Sequence, residues 1–319
     1  MSDDFLKRKI EREFGDVMPY LKDTAVTDIL LNPDGKLWVY RQGDGKRLLD
    51  VKLTPQEVLH LLGSIASYAG TVLNSERPLL QASLPWGQRV QGVIPPVVSS
   101  PAFAIRNHST RSFKLCDYIS SGRMPVSAAE YLKKALVKRK NIIVSGGTGS
   151  GKTTLTGALL AELAVLCPDD RLCVMEDTRE LQTFSPDTVF ELSGNGVTMT
   201  DLLAVNLRLR PDRIILGEIR GPEALDLLKS WNSGHPGGIS TVHANSAWSA
   251  LTRFEQLVLE AQELNIGYLR SLISDAVDVV VQVERKKGAG PVLRELIEVE
   301  GLDERKEYKT NVLYERKDE

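Results

Sequence analysis

Apolar residues in the first third of the chain follow first a helical and then a strand pattern. Their spacing of three and four residues over 5–14 predicts a short amphipathic helix. Two apolar runs between residues 27 and 40 flank an Asn-Pro-Asp-Gly turn and predict a β-hairpin. A threonine, a proline and a glutamate at the start of 54–69 are typical of a helix start, and alternating apolar residues over 79–106 predict a β-meander. Residues 1–106 are therefore predicted to form a compact α+β domain.

The pattern changes in the second part of the chain. Residues 107–126 are polar, contain a glycine and a proline, and predict a linker with one helical stretch. A helical pattern over 127–138 follows. From Asn141, short and wholly apolar runs alternate with helical stretches, which is typical of strands buried on both faces of a parallel sheet. We therefore predict an α/β domain with a mostly parallel sheet over residues 127–319.

The same runs predict the individual elements of this second domain. Strands are expected at 142–145, 171–176 and 213–217, and a helix is expected over 152–166. The part of the chain after residue 276 predicts two or three strands around a turn, and the charged last dozen residues predict a solvated edge or tail.

The size and charge of the chain narrow the classes of function. Its 319 residues fit about two domains. The formal net charge is −2, whereas a protein held on nucleic acid by electrostatics usually carries a basic excess. We therefore expect no direct sequence-specific binding of nucleic acid, although net charge alone leaves a local basic face open.

Cysteine use and the distribution of apolar residues predict the location. The three cysteines include no C-x-x-C pair, which argues against a disulfide framework or a zinc site and fits a reducing compartment. The charged N-terminus lacks the apolar region of a signal peptide, and no stretch reaches the roughly 18 apolar residues of a spanning helix. We expect a cytoplasmic protein, either free or peripheral to a membrane, without a transmembrane segment.

A glycine-rich sequence between the first buried strand and its helix has a phosphate-binding pattern. Residues 146–153 read GGTGSGKT and match G-x-x-x-x-G-K-S/T. The glycines let successive backbone N–H groups point at phosphates, and Lys152 can reach the β- and γ-phosphates of ATP. The hydroxyl of Thr153 can bind Mg²⁺. The predicted nucleotide-binding residues are Gly146, Gly147, Thr148, Gly149, Ser150, Gly151, Lys152, Thr153 and Thr154.

Two acidic positions follow buried strands of the same predicted sheet. The run 213–217 is followed by Glu218, which would either face Mg²⁺ or lie solvated at a strand end. A Gly217-Glu218 pair here replaces the aspartate that is usual at such a strand. Glu176 and Asp177 end another strand, where a carboxylate could polarise the attacking water, although paired acids are also common in loops.

A pair of histidines supplies the third candidate group. Residues 234–245 contain two of the four histidines of the chain. Their spacing fits no helical metal-binding pair, so we expect no metal there. Near a leaving phosphate, the imidazole of His243 would respond to hydrolysis, whereas the alternative is a structural histidine with satisfied hydrogen bonds.

Together these motifs resemble the secretion and traffic ATPases of the type II and type IV secretion superfamily. The motifs that carry the resemblance are GGTGSGKTT (146–154), MEDTREL (175–181), LRPDRIILGEIRG (209–221) and GHPGGISTVHANS (234–246), in that order. The N-terminal half matches more loosely, through LPWGQRVQGVIPP (84–96) and AFAIRNHS (102–109). The VHAN sequence, the short N-terminal domain and the lack of a four-cysteine module favour the conjugative type IV branch, the mating-pair-formation ATPases.

The resemblance implies a RecA-like ATPase domain and a role for each candidate. Glu176 would position or activate water, Glu218 would act near Mg²⁺, and His243 would contact or sense the γ-phosphate. Members form hexameric rings that hold the nucleotide between the two domains of each subunit, and arginines reach the phosphates from the N-terminal side. Arg106 and Arg123 are the candidates for these arginines. The implied partners are other components of a type IV secretion system at the inner membrane, with the chain on its cytoplasmic face.

The predicted function is an ATP-hydrolysing hexameric motor that powers conjugative type IV secretion. Lys152 and Mg²⁺ would neutralise the charge that develops on the phosphates, and the segment 107–126 would act as a hinge. One alternative is a nucleotide-gated scaffold with little turnover, for which the Gly217-Glu218 pair leaves room. Another is a DNA helicase or recombinase, which would need a basic channel and stacking aromatic residues. A small-molecule kinase would need an acceptor site and a lid that the sequence does not identify.

Overall fold

The computed structural model of the protein describes residues 3–41, 44–107, 113–194, 196–286 and 290–317. The chain divides into two compact units, Met1–Arg111 and Ser112–Glu319. Each unit has its own hydrophobic core, and the second unit has one core on each face of its sheet.

The first unit is an antiparallel sheet with helices packed on it. Within the described residues, its α-helices and strands are α1 (Asp3–Phe14), α2 (Met18–Lys22), β1 (Val26–Leu31), β2 (Leu37–Arg41), β3 (Gly45–Leu49), α3 (Pro55–Tyr68), β4 (Leu79–Ser83), β5 (Arg89–Val93) and β6 (Ala102–Arg106). The strand order is β3-β2-β1-β6-β5-β4, and every neighbouring pair is antiparallel. The predicted hairpin and meander are confirmed, and β3 is an addition.

Local sequence explains why these elements form. The apolar face of α1 buries Leu6, Ile10 and Phe14, as its helical spacing predicts. At the start of α3, the Thr54 hydroxyl accepts a hydrogen bond from the backbone N–H of Glu57, and the Glu57 carboxylate accepts one from the backbone N–H of Thr54. This capping box is the device that the sequence indicated.

The second unit is an α/β structure. Within the described residues, its helices are α4 (Leu115–Ser120), α5 (Val126–Val137), α6 (Lys152–Leu166), α7 (Met199–Asn206), α8 (Glu223–Asn232), α9 (Ala247–Ala261) and α10 (Ile266–Ala276). Its strands are β7 (Ile142–Gly146), β8 (Leu172–Glu176), β9 (Thr188–Leu192), β10 (Arg213–Ile219), β11 (Ile239–Val242), β12 (Val279–Lys286), β13 (Gly290–Leu302) and β14 (Tyr308–Glu315).

The sheet of the second unit is parallel except at one edge. Its strand order is β14-β13-β12-β7-β11-β10-β8-β9. Neighbouring strands from β12 to β9 are parallel, whereas β13 pairs antiparallel with both β12 and β14. Because parallel strands run in one direction, the loops after β7, β8, β10 and β11 all leave the same edge of the sheet. That edge carries the phosphate loop, Glu176 and Asp177, the residues after β10, and His243.

The segment predicted as a linker, 107–126, is divided between the two units. Asn107 belongs to the first unit, where its side-chain N–H donates to the backbone oxygen of Val26 at 3.0 Å. Helix α4 belongs to the second unit, where Leu115 and Tyr118 are fully buried against α6. Helix α4 lies in the segment for which one helical stretch was predicted, and its packing means that the second unit begins before residue 127.

The predicted C-terminal strands are also present. They form the antiparallel edge of the sheet, and β14 includes most of the charged last dozen residues that we assigned to a solvated edge or tail. Among the described residues, no helix combines the length and the apolar character that crossing a membrane requires.

Candidate nucleotide-binding site

The phosphate-loop sequence connects β7 to α6, as predicted. Gly151 precedes the helix with a φ of 102°, in the left-handed region that favours glycine. A Cβ atom at Gly151 would also lie 2.3 Å from Cβ of Pro291, so a larger residue would not fit. Thr153 and Thr154 occupy the first turn of α6, at the positive end of the helix.

Lys152 is buried inside this loop. Its ammonium group donates to the backbone oxygens of Gly146 and Gly147, each at 3.2 Å, and lies 3.1 Å from Nδ1 of His243. Neutral acceptors hold the side chain at the mouth of the loop. A phosphate oxygen is charged and would be a stronger acceptor in their place. The structure therefore brings Lys152 and His243 together, from two motifs far apart in the sequence.

His243 continues this contact to Glu218. The imidazole Nε2 lies 2.6 Å from Oε1 of Glu218. Because an ammonium group only donates, Nδ1 accepts from Lys152 and the ring proton is assigned to Nε2, where it faces the carboxylate. Burial, followed by the charge of Lys152, lowers the pKa of His243, against the opposite influence of Glu218. The imidazole is therefore neutral at neutral pH.

The carboxylate of Glu218 has a second partner. Its Oε2 accepts from the guanidinium of Arg220 at 2.5 Å, and the same guanidinium pairs with Asp177. Arg220 thus links the acidic residue after β8 to the carboxylate on β10. We predicted Glu218 as a magnesium ligand, whereas its described contacts are with His243 and Arg220.

Glu176 lies in a different environment at the end of β8. It is 4% exposed, and its Oε1 accepts backbone hydrogen bonds from Glu180 at 3.0 Å and Leu181 at 2.9 Å. Burial raises the pKa of this carboxyl group to about 7, although the two backbone hydrogen bonds act in the opposite direction. A carboxylate with a pKa near neutrality is suited to take up a proton at physiological pH.

The neighbouring strand leaves room for this side chain. A Cβ atom at Gly217 would lie 2.8 Å from Cγ of Glu176, well inside normal contact distance. The pairing of β10 with β11 also shifts register between Leu216 and Ile219, so the strand is irregular where Glu218 leaves it. Glycine at position 217 therefore allows Glu176 to occupy the space beside β10.

Sequence reasoning missed one carboxylate of the site, Glu180. The hydroxyl of Thr153 donates to Oε2 of Glu180 at 3.3 Å. The position of Glu180 within MEDTREL, four residues after Glu176, was the available signal. No group of three or more His, Cys, Asp or Glu side chains suited to a metal occurs in the described part of the chain. A hydroxyl with one nearby carboxylate does fit Mg²⁺, which takes few protein ligands and completes its shell with phosphates and water.

The two histidines of the third motif lie at opposite ends of β11. The glycines that follow His235 pack before the strand, where the backbone N–H groups of Gly237 and Gly238 donate to the side-chain oxygen of Asn141 at 2.7 and 2.9 Å. A Cβ atom at Gly238 would lie 2.1 Å from Nε1 of Trp231. This part of the motif is structural, and only His243 reaches the phosphate loop.

The two candidate arginines are held by other partners. Arg106, on β6 of the first unit, pairs with Asp28 at 3.3 Å and is half exposed. Arg123 lies in the second unit, with its guanidinium over the ring of Phe113 at 5.6 Å. A Cβ atom at Gly290 would lie 3.4 Å from this guanidinium. Arg123 therefore belongs to the second unit, whereas the resemblance implied arginines from the N-terminal side.

A cavity of about 470 Å³ opens beside the loop. Its walls include Gly147 and Ser150 of the loop, Asn245 after β11, and Arg285 and Arg294 of β12 and β13. The cavity is polar, and it adjoins the residues that hold Lys152.

Several known proteins resemble this chain in sequence. The family described as type II/IV secretion system protein matches residues 11–291. "Conjugal transfer protein TrbB" of Rhizobium radiobacter is 44% identical over 298 residues, which cover 93% of this chain and 91% of that protein. "Type IV secretion system protein PtlH" of Bordetella pertussis is 36% identical over 306 residues, covering 85% of this chain and 89% of that protein.

Among solved structures, that of the pilus retraction motor PilT with bound ADP matches with a TM-score of 0.63 at 20% identity. The match covers 95% of this chain and 82% of that chain, and at this identity it shows the fold alone. The extent of the family match and the identity with TrbB lead to one conclusion. This chain belongs to the type II/IV secretion system protein family.

Proposed function

We propose that this chain is an ATPase that works as a hexameric motor in conjugative type IV secretion. The observation that carries the ATPase activity is the buried Lys152 within the phosphate loop, in contact with His243, which in turn contacts Glu218. The similarity to a conjugal transfer protein and to a type IV secretion protein supports the process. By the same similarity we place it with other components of that system at the cytoplasmic face of the inner membrane.

The proposed reaction is the hydrolysis of ATP to ADP and phosphate. The backbone N–H groups of residues 146–154 and the ammonium of Lys152 bind the phosphates and neutralise the charge that develops on them. Mg²⁺, when bound, would neutralise charge on the phosphoryl oxygens, and Thr153 with Glu180 would hold it. Glu218 remains the predicted second acidic group near this ion.

We assign the activation of water to Glu176. Its pKa of about 7 and its burial suit a general base, whereas Glu218 is held by Arg220 and His243. We assign to His243 the sensing of the γ-phosphate. A phosphate that binds the ammonium group of Lys152 changes the charge beside the imidazole. The roles of Arg106 and Arg123 stay predictions.

The first test is steady-state phosphate release at several protein concentrations, with light scattering to follow mass. We expect a specific rate that rises as the ring forms. Lys152→Ala should lose ATP binding, and Glu176→Gln should bind ATP but turn over on the order of 100-fold more slowly. Glu260→Gln, on the exposed side of α9, is the matched control and should behave as wild type.

Each outcome decides a separate part of the proposal. Normal hydrolysis by Lys152→Ala would refute the assigned site. Tight ATP binding without turnover by the wild-type ring would instead support a nucleotide-gated scaffold. DNA-stimulated turnover with strand separation would support a helicase. The secretion role is measured by plasmid transfer from cells that carry only the Glu176→Gln protein, and unchanged transfer would refute it.

A further inference from the structure

Strands β12 and β13 contact the phosphate loop at three points. At the start of the loop, a Cβ atom on Gly146 would lie 2.4 Å from the backbone oxygen of Val283. At the end of the loop, Gly151 packs against Pro291 in the same way. Between these points, Nη1 of Arg285 donates to the backbone oxygen of Gly149 at 3.3 Å. The loop is thus enclosed by a segment of the chain that lies far beyond it in sequence.

Strand register explains why Arg285 reaches the loop. In the parallel pair β7–β12, Val283 lies opposite Gly146, which is the last residue of β7. Arg285 is two residues further along β12 and therefore points to the same face of the sheet as Val283. Because β7 ends where the loop begins, the side chain of Arg285 extends over the loop itself.

The bond from Arg285 fixes a peptide group at the apex of the loop. The oxygen of the peptide between Gly149 and Ser150 accepts from Arg285, and its N–H donates to the backbone oxygen of Gly147 at 3.3 Å. That same oxygen of Gly147 accepts from the ammonium of Lys152. The guanidinium of Arg285 therefore holds one end of this peptide group. The other end of the peptide group donates to the same oxygen as Lys152.

We propose that Arg285 is a positioning residue that holds the apex of the phosphate loop in the shape that binds the phosphates of ATP. This inference rests on the proposed function, since it assigns Arg285 a role in the binding of the same nucleotide. In this role the guanidinium acts through the backbone oxygen of Gly149. Its effect is therefore on the affinity for nucleotide rather than on the chemical step.

The test compares Arg285→Met and Arg285→Lys with wild type in the full-length protein. Methionine keeps the length of the aliphatic stem and removes the donor, whereas lysine keeps a charged donor. For Arg285→Met we expect the KM for ATP and the Kd for ADP to rise about three- to tenfold, the range for a charged hydrogen bond that solvent partly screens. The kcat should stay within about twofold of wild type. Arg285→Lys should recover part of the affinity.

Lys309→Ala is the matched control, because Lys309 pairs with Glu300 on the exposed side of the same antiparallel edge. It should leave KM, Kd and Tm unchanged. An unchanged KM and Kd in Arg285→Met would overturn the positioning role. So would a lower Tm with reduced kcat and normal affinity, which is the signature of a purely structural residue.

The behaviour of the wild-type protein separates this inference from the proposed function. A wild type that binds ADP without hydrolysing ATP would refute the motor, and the Kd comparison would still decide the role of Arg285. A wild type that binds neither nucleotide would overturn both. Wild-type turnover with unaltered affinity in Arg285→Met would overturn only the positioning role.

Discussion

Replacement of Gly217 with alanine tests whether the packing of Glu176 controls catalysis. The new Cβ atom would lie 2.8 Å from Cγ of Glu176 and 3.4 Å from its Oε1. Carbon atoms in contact are normally about 3.5–4.0 Å apart, so one of the two residues must move. Strand β10 is paired on both sides, with β8 and β11, and the Glu176 side chain is the less constrained partner. We expect the carboxylate to be displaced from its backbone hydrogen bonds.

The size of the effect follows from two contributions. Overpacking of a filled site costs about 1–3 kcal/mol of folding stability, and each kcal/mol lowers Tm by roughly 2–4 °C in a domain of this size. A positioned general base contributes about 10²–10⁴-fold to a reaction rate, and a displaced one loses part of that factor. We therefore expect kcat to fall roughly 10- to 100-fold. Affinity for ATP should change little, because Gly217 does not contact the phosphate loop in the described contacts.

The assay is steady-state phosphate release, with nucleotide binding and thermal unfolding measured on the same samples. Gly157→Ala is the control, since a Cβ atom at this position in α6 meets no atom within 4 Å and alanine favours a helix. The double variant Gly217→Ala/Glu176→Gln should be no slower than Glu176→Gln alone, because both changes remove one base. A folded Gly217→Ala protein with wild-type kcat would refute the reasoning.

Three further predictions concern Glu176, a buried ion pair at the opposite edge of the sheet, and His243. Because the pKa of Glu176 is raised to about 7, kcat should rise with pH through neutrality, and this rise should be absent in Glu176→Gln. The folded state favours the protonated acid, so the free energy of unfolding falls as the pH rises from the unfolded pKa of 4.5 to about 7. Glu176→Gln removes this loss and should therefore raise Tm at pH 8. Asp170→Asn weakens the partner of the fully buried Arg213, 2.6 Å away, and should cost about 3–5 kcal/mol in urea unfolding, with an unchanged midpoint contradicting this. His243→Ala should lower kcat on the order of 10- to 100-fold with little loss of ATP affinity, and equal loss of both would mean that it only supports Lys152.

The elements that hold the site were largely predictable because their signals are local. A wholly apolar run, a glycine-rich loop and a helix start stand next to one another in the chain, and the structure has β7, the loop and α6 in those places. Strand β11 was not predicted, because it is only four residues long and lies inside a motif that we interpreted for its histidines. Strand β3 lacks an apolar run and forms by pairing with β2.

Contacts between motifs were not predictable to the same degree. The approach of Lys152 to His243 depends on β7 and β11 being neighbours in the sheet. No local sequence pattern predicts the order of strands in a sheet. The bond of Arg285 to the loop depends on the pairing of β12 with β7 in one register. The resemblance to a family supplied one of these proximities in advance, because it gave His243 a role at the γ-phosphate that Lys152 was also expected to reach. It did not indicate that Arg123 lies in the same unit as the phosphate loop.

The Gly217-Glu218 pair shows how one such contact reverses an interpretation. Taken alone, the loss of the usual aspartate suggested weak catalysis and left room for a scaffold without turnover. In the structure, the glycine leaves space that the side chain of Glu176 fills, and an aspartate at position 217 would meet that side chain at its first carbon. The two carboxylates are a buried Glu176 on β8 and a Glu218 held by Arg220 and His243. Under the proposed function, the missing aspartate is a condition for the position of the base, and it no longer favours the scaffold.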